Sequence, residues 1–158
     1  MPPRITIRDA ELHEIAALEA LQMRASLVAP DYREDLAAHP EAIDLPETDV
    51  RDHRVRVAVV DSRVAGFSVV TPIRGSTCEL DGLFVEPDLM RTGVGRALID
   101  DVVTRLRSKD VVRLDVVANP TAVGFYSKLG FVRGDDAMTQ FGPAFWMTLD
   151  LHTERGGD

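Results

Sequence analysis

The sequence predicts a single α/β domain built on one mixed β-sheet of about six to seven strands, flanked by about four helices. Short runs of alternating or continuous apolar residues, typical of strands, lie on both sides of one long segment, 94–106, whose apolar residues recur at helical spacing. No internal repeat or low-complexity segment divides the 158 residues, and a chain of this length buries roughly 70% of its unfolded surface. We therefore expect one domain over 1–158, with its core over 4–151 and a flexible tail over 152–158.

The N-terminal third predicts a strand followed by helices. Residues 4–8 alternate polar and apolar side chains, as a half-buried strand does. Asp9 is the predicted N-cap of a helix that Pro30 ends. The apolar stripe of that helix consists of Leu12, Ile15, Leu18, Leu21 and Ala25. A shorter helix is expected over 32–38, and the acidic, proline-containing segment 41–52 is expected to be a loop with one further helical turn.

The middle and C-terminal parts predict strands. Segments 55–60 and 64–73 are β-rich and joined by a tight turn at Asp61-Ser62, which indicates a hairpin. Within it, Gly66 marks a bulge or a close backbone approach. A strand over 78–85 follows, and further strands are expected over 111–118, 131–137 and 144–151.

A glycine-containing loop precedes the long helix. It has the sequence Met90-Arg91-Thr92-Gly93-Val94-Gly95-Arg96, and the helical stripe that begins there comprises Val94, Leu98, Ile99, Val102, Val103 and Leu106. Backbone N–H groups at the start of a helix, together with the helix dipole, form an anion site whose usual occupant is a diphosphate. The NTPase loop pattern is absent, and the dinucleotide pattern needs a small residue where Leu98 stands.

A second motif spans residues 119–131. Asn119 suits an N-cap, Pro120 suits the first helical position, and Gly130 suits the left-handed position after a short helix. The face predicted to be buried carries Ala122, Phe125, Tyr126 and Leu129.

Both motifs resemble those of the GNAT N-acetyltransferase superfamily. The glycine loop is similar to the acyl-CoA pattern Gln/Arg-x-x-Gly-x-Gly/Ala, although Met90 stands at the leading position, and the second motif matches Asn-x-x-Ala-x-x-Phe-Tyr…Gly-Phe. The resemblance covers residues 77–131. It implies a sheet in which two parallel strands splay apart so that the pantetheine arm of CoA pairs with the exposed edges. A bulge at Gly82 would allow this, because the polar face of Thr77, Glu79 and Asp81 otherwise continues into apolar residues.

The resemblance also implies an activity and its residues. Acetyl-CoA would serve as co-substrate, without a metal, and the acetyl group would pass directly to a primary amine of a small molecule, peptide or protein. Tyr126 matches the acid, and Glu79 and Asp81 are candidates for the base, unless they form a merely solvated strand face. The implied cofactor-binding residues are Leu83, Phe84, Val85, Arg91, Thr92, Gly93, Val94, Gly95, Arg96, Asn119, Phe125 and Tyr126. A non-catalytic acyl-CoA sensor remains the alternative.

Composition limits the partners. A net charge of −8 and a pI near 4.9 argue against nucleic acid and anionic membranes, and no apolar run of 18 residues is present. Cys78, the single cysteine, is expected in the core of a cytoplasmic protein. A homodimer is possible.

The binding pocket for the acceptor amine is expected to form from the segments 25–54 and 138–143. Its candidate lining residues are Tyr32, His53, Phe141 and Trp146.

Overall fold

The computed structural model describes residues 4–28 and 33–152 and contains one seven-stranded sheet. The strand order is β1-β2-β3-β4-β5-β7-β6, and the neighbouring strands are antiparallel except β4 and β5, which are parallel. The strands are β1 (Ile5–Asp9), β2 (Val55–Val60), β3 (Arg63–Val70), β4 (Thr77–Val85), β5 (Arg113–Ala118), β6 (Val132–Thr139) and β7 (Gly142–Asp150). The predicted mixed sheet is confirmed.

Five α-helices lie in the described residues, one more than predicted. They are α1 (Ile15–Val28), α2 (Arg33–Ala38), α3 (Glu47–Arg51), α4 (Val94–Arg107) and α5 (Val123–Lys128). Short 3₁₀ helices precede or connect them at Leu12–Glu14, Pro40–Ala42, Pro87–Leu89 and Pro120–Ala122. The predicted helix end at Pro30, the side chain of Tyr32 and the tail beyond His152 lie outside the described residues.

The helices α1 and α4 cover opposite faces of the sheet. Phe84 of β4 belongs to the apolar cluster of α1, whereas its neighbours Leu83 and Val85 pack against the cluster of α4. Every residue of the predicted α4 stripe is buried, which confirms the helical period. Tyr126 of α5 joins the α4 side of the core, so both sequence motifs lie on that face.

The start of the first helix differs from the prediction. Asp9 is not an N-cap, because β1 stays extended through Asp9, which pairs with Arg56 of β2. Its carboxylate accepts hydrogen bonds from Arg56 Nη1 at 3.0 Å and contacts His53 Nδ1 at 3.0 Å. Glu11 caps the first 3₁₀ turn instead, and its backbone N–H donates to the Glu14 carboxylate at 2.9 Å. Leu12 is 43% exposed and therefore not part of the buried stripe.

The hairpin glycine Gly66 is required by close packing. A Cβ atom at this position would lie 2.6 Å from the carbonyl oxygen of Phe84. The register between β2 and β3 also shifts here, since Ala58 pairs with Gly66 but Val59 pairs with Val64. Both parts of the Gly66 prediction are confirmed.

The parallel strands β4 and β5 separate halfway along β4. Their pairing runs from Thr77 opposite Arg113 to Leu80 opposite Val116 and ends there. At the same point the register of β4 against β3 shifts, leaving Asp81 as an extra residue directly before Gly82. The predicted bulge is thus present. Beyond it the edge of β4 that faces β5 carries no strand pairing in the described sheet.

Candidate active site

The glycine loop ends in a left-handed turn that starts α4. Gly93 is the N-cap, with φ of 94°, and Arg91 also has a positive φ of 65°. No side chain of the described residues caps this helix start, so the first backbone N–H groups of α4 remain available for a ligand. The guanidinium groups of Arg91 and Arg96 are exposed beside them. The hydroxyl of Thr92 is already engaged, since it donates to the carbonyl oxygen of Leu89.

Gly95 brings the two sequence motifs into contact. A Cβ atom at Gly95 would lie 3.1 Å from Cζ of Phe125 and 3.8 Å from Cγ2 of Val85. The Phe125 ring therefore rests on the first turn of α4 and is 37% exposed, rather than buried as the helical spacing predicted. Phe125 and Val85 thus lie next to the N-terminus of α4, which begins at Val94.

The splay places free backbone beside that helix start. Residues 82–85 of β4 pair with β3 on one side, and Val117 and Ala118 of β5 pair with β7 on the other. Because pairing between β4 and β5 ends at Leu80, the facing edges of Leu83, Phe84 and Val85 can accept an extended ligand as an added strand. The structure therefore brings the predicted cofactor residues of β4 together with the glycine loop.

Asn119 and Tyr126 lie just past the end of β5. Asn119 Oδ1 accepts a hydrogen bond from the Ala122 N–H at 2.9 Å, which confirms the predicted N-cap. Gly130 has a φ of 99°, as predicted for the left-handed residue after the helix. Tyr126 is 7% exposed and packs edge-on against Phe125 and Phe131, with ring centroids 5.1 and 5.2 Å away. Burial raises the pKa of its phenol far above the ordinary value, so the phenol keeps its proton.

Two carboxylates lie where the strands separate. Glu79 is half-buried, and its pKa is raised by burial, with further contributions from the charges of Asp81 and Asp115. Burial also raises the pKa of Asp81, and Asp49 of α3 adds to the effect. Asp81 is the more exposed of the two to solvent, although neighbouring groups partly desolvate it. Neither forms an ion pair within the described chain, so both can accept a proton or bind a cation.

The position of Glu79 is fixed from both sides. Its backbone N–H donates to Thr71 Oγ1 at 3.0 Å, and its carbonyl oxygen accepts from the Thr71 N–H at 2.9 Å. On the other side it stands opposite Asp115 of β5. The Asp115 carboxylate accepts a hydrogen bond from Thr148 Oγ1 at 2.8 Å and pairs with Arg113 at 3.1 Å. Unlike Asp115, Glu79 forms no ion pair within the described residues, although the charge of Arg74 acts on it and partly offsets the rise in its pKa.

Sequence reasoning missed one ion pair that supports the loop. Glu86, the residue after β4, is 7% exposed and accepts two hydrogen bonds from Arg24 of α1, at 3.0 and 2.7 Å. This pair fastens α1 to the chain immediately before the glycine loop. The sequence does show an acidic residue, Glu86, directly after an apolar strand. Its partner could not be identified, because Arg24 lies 62 residues away along the chain.

The predicted acceptor segments meet only in part. His39, between α2 and the next 3₁₀ turn, stacks on Phe141 at the β6–β7 turn with ring centroids 6.4 Å apart. Trp146 of β7 is 37% exposed. His53 lies elsewhere, since it contacts Asp9 and lines a cleft beside α4.

Two searches of the described residues concern metal clusters and membrane-spanning helices. Among residues 4–28 and 33–152, no cluster of three or more His, Cys, Asp or Glu side chains is arranged to hold a metal ion. None of the helices in this part is long and apolar enough to cross a bilayer.

Comparison with known proteins identifies the family. A sequence profile of the acetyltransferase (GNAT) domain matches residues 28–146, which include the glycine loop, both carboxylates and the second motif. The chain belongs to the GNAT acetyltransferases.

One curated relative is serotonin N-acetyltransferase 2, chloroplastic, of Oryza sativa subsp. japonica. It is 34% identical over 110 residues (61% of this chain, 54% of the relative). A second is the [ribosomal protein bS18]-alanine N-acetyltransferase of Salmonella typhimurium, 32% identical over 74 residues (45% of this chain, 49% of the relative). The chain spans about half the length of the curated relatives it matches.

Solved GNAT structures share the fold. The PaiA N-acetyltransferase of Thermoplasma acidophilum, in complex with coenzyme A, superimposes with a TM-score of 0.76 at 17% identity, covering 93% of this chain and 99% of its own. The ribosomal-protein-S18-alanine N-acetyltransferase of Escherichia coli gives a TM-score of 0.69 at 22% identity and covers 98% of each chain. The predicted family and fold are confirmed.

Proposed function

We propose that this protein transfers the acetyl group of acetyl-CoA directly to a primary amine. The proposal rests on one observation: pairing between β4 and β5 ends at Leu80 and leaves the next part of the β4 edge open. This open edge lies between the carboxylates of Glu79 and Asp81, which form no ion pair within the described residues, and the start of α4 at Gly93. Such an opening can hold an extended thioester next to a proton acceptor. Membership of the family and the activities named for its relatives support the proposal.

The cofactor has a path along the described residues. The diphosphate lies at the N–H groups of Gly93, Val94 and Gly95, with Arg91 and Arg96 as cationic neighbours. Since Thr92 uses its hydroxyl within the loop, its contribution comes from the backbone. The pantetheine arm follows the open edge of residues 83–85, and Phe125 borders it. Asn119 Oδ1 is occupied as an N-cap, which leaves its Nδ2 group for cofactor contact.

Glu79 is the proposed base. An amine enters as an ammonium ion and must lose a proton before its nitrogen lone pair attacks the thioester carbonyl carbon. A carboxylate with a raised pKa and no bound cation can take this proton, directly or through water. Asp81 and Asp115 lie close enough to raise that pKa, and their charges also attract a cationic acceptor.

Tyr126 acts as a hydrogen-bond donor to the departing sulfur. As the C–S bond breaks, negative charge develops on the sulfur of CoA. Burial raises the pKa of this phenol, so it keeps its proton and can donate a hydrogen bond to that sulfur. The hydrogen bond stabilises the developing thiolate, which takes its final proton from water.

Turnover of acetyl-CoA with release of free thiol tests the proposal. The acceptors are serotonin, a peptide with an N-terminal alanine and a lysine peptide, chosen from the relatives' names and the predicted amine class. Glu79→Gln is expected to lower kcat by about 100-fold while CoA still binds, as removal of a general base does. Glu47→Gln, which changes an exposed carboxylate of α3, is the matched control.

Three results would contradict parts of this assignment. Full activity of Glu79→Gln together with loss of activity in Asp81→Asn would refute Glu79 as the base. An unchanged kcat in Tyr126→Phe would refute the donor role. CoA binding without thiol release from any amine would favour the acyl-CoA sensor.

Other predictions remain proposals. We infer one catalytic domain with its core over 4–151, a cytoplasmic location consistent with a single buried cysteine, and possible homodimer formation. The compartment is best tested by fractionation, since one relative is named as chloroplastic.

A further inference from the structure

A second cleft lies on the α4 face of the sheet, away from the glycine loop. It encloses about 260 Å³ between β2, β3 and the last turns of α4. Because α4 rises 1.5 Å per residue, the first lining residue of this helix, Val102, lies about 12 Å along the axis from Val94 at the proposed diphosphate site. The cleft is thus separate from the proposed active site.

The base of the cleft holds a buried hydroxyl without a partner. Ser68 of β3 lines the cleft and is 1% exposed. Its Oγ is the one buried side-chain oxygen or nitrogen in the described chain that forms no hydrogen bond. A buried hydroxyl without a hydrogen-bond partner lowers the stability of the folded protein, and native proteins contain few such groups. The Ser68 oxygen has almost no accessible surface, so a ligand in the cleft does not reach it and the cost stays within the fold.

The walls of the cleft are apolar. Val70 continues from Ser68 along β3, Ile73 follows in the next loop, and Val102 and Leu106 face them from α4. Ile73 is 39% exposed, so the apolar wall reaches the surface. These side chains suit a small hydrocarbon or aromatic body.

Two cations at the cleft form no ion pair within the described residues. Arg54 pairs with Asp49 and Asp52, and Arg56 is held by Asp9 and Asp101, so these two arginines are occupied. Arg105 donates two long hydrogen bonds, of 3.4 Å each, to the carbonyl oxygen of His53, and its charge helps to lower the pKa of the nearby Asp9 carboxyl. Lys109 forms no ion pair within the described residues, although it lines the same cleft.

The end of α4 does not require these two cations. The carbonyl oxygens of Thr104, Leu106 and Arg107 accept backbone N–H groups from the residues that follow, and Ser108 Oγ donates to the Arg105 carbonyl oxygen at 2.6 Å. The last carbonyls of the helix are therefore satisfied without the guanidinium of Arg105 or the ammonium of Lys109. Both groups remain available for an anion.

We propose that this cleft binds a small organic carboxylate with an apolar body. Arg105 and Lys109 bind the carboxylate, and Val102 and Leu106 contact the apolar body. The cleft is slightly smaller than pockets for drug-sized ligands, about 300–1,000 Å³, so it suits a metabolite of one ring or a short chain. The site lies outside the proposed transferase chemistry.

The test uses 4-hydroxybenzoate as the probe, which combines a carboxylate with an aromatic ring. Binding is measured by calorimetry and by the shift in Tm, with the full chain saturated with CoA so that the active site is blocked. 4-Hydroxybenzamide is the uncharged control ligand. Binding of the carboxylate but not of the amide is expected, with a Kd below about 10 mM.

Variants locate the binding. Arg105→Gln combined with Lys109→Gln is expected to weaken the probe at least about tenfold, because both charge-assisted contacts are lost. Ser68→Ala is expected to bind the probe as the unmodified protein does, because the Ser68 oxygen is not accessible from the cleft. Arg51→Gln combined with Lys128→Gln changes the net charge equally at other exposed sites and is expected to bind as the unmodified protein does.

Several outcomes would overturn the proposal. Equal binding of the amide and the carboxylate would exclude recognition of the charge. Binding unchanged in the Arg105 and Lys109 double variant, or lost equally in the control double variant, would remove the cleft as its location. No binding up to about 10 mM would leave the cleft without the proposed ligand.

Discussion

Replacing Gly93 by alanine separates the role of the left-handed turn from its contribution to stability. No atom lies within 4 Å of a Cβ built at Gly93, so the substitution meets no steric clash. The cost is the backbone strain of an L-residue at φ of 94°, about 1–2 kcal/mol. For a chain of this size, 1 kcal/mol corresponds to about 2–4 °C in Tm, so we expect a loss of about 2–8 °C.

Gly75 provides a matched control for this substitution. It also has a positive φ, of 60°, and open space around its Cβ, but it lies in the turn between β3 and β4. Gly75→Ala is therefore expected to lower Tm by a similar amount without changing CoA affinity.

The two variants should differ in CoA binding, measured by calorimetry. If Gly93 aims the first N–H groups of α4, relaxation of the turn in Gly93→Ala misdirects at least one hydrogen bond to phosphate. A hydrogen bond to a charged group contributes about 1.5–3 kcal/mol, so the Kd should rise by about 10- to 100-fold. The reasoning is refuted if Gly93→Ala loses stability as Gly75→Ala does but binds CoA with unchanged affinity.

Three further substitutions test individual contacts. Burial and the like charges of Asp81 and Asp115 raise the pKa of Glu79 in the folded protein. The ionised carboxylate therefore destabilises the fold when the pH is above this raised pKa. The destabilisation vanishes when the pH is below the pKa of Glu in the unfolded chain, near 4.3. Glu79→Gln should thus stabilise the protein at about pH 8, by about 0.2–1 kcal/mol, and leave it unchanged at about pH 4; equal effects at both pH values in thermal denaturation would contradict this sign. Ser68→Ala should stabilise the unliganded protein by about 1 kcal/mol in urea titration, and a loss would mean that the hydroxyl has a partner. Arg24→Gln should cost about 1–2 kcal/mol because Glu86 stays buried with only the longer contact to Arg63, 3.8 Å, and a double-mutant cycle with Glu86→Gln showing no coupling would disprove the pair.

The sequence predicted the elements whose signals are local. The stripe of α4 repeats over four turns, and every residue of it is buried. Gly93 and Gly130 were recognised because positive φ is what glycine supplies at helix ends, and both adopt it. Asn119 was predicted as an N-cap from its neighbours alone, and its side chain caps Ala122.

Features that depend on distant partners were not predictable. Asp9 resembles an N-cap in sequence, but pairing with β2 keeps it extended and presents it to Arg56. The spacing of Phe125 suits a buried face, yet Gly95 leaves a gap on α4 in which the ring lies half-exposed. Glu86 gave no hint of Arg24, because nothing in one sequence indicates which residues 62 positions apart meet.

The splay also divides the sheet mechanically. Strands β1–β4 form one ladder and β5–β7 another, and within the described sheet only four residue pairs, from Thr77 to Leu80, join them. A pantetheine arm lying in the gap would form hydrogen bonds to both strand edges and so connect the two ladders. Empty and occupied protein should therefore differ most in hydrogen exchange at Leu83, Val85 and Val117, although these residues lie inside the sheet.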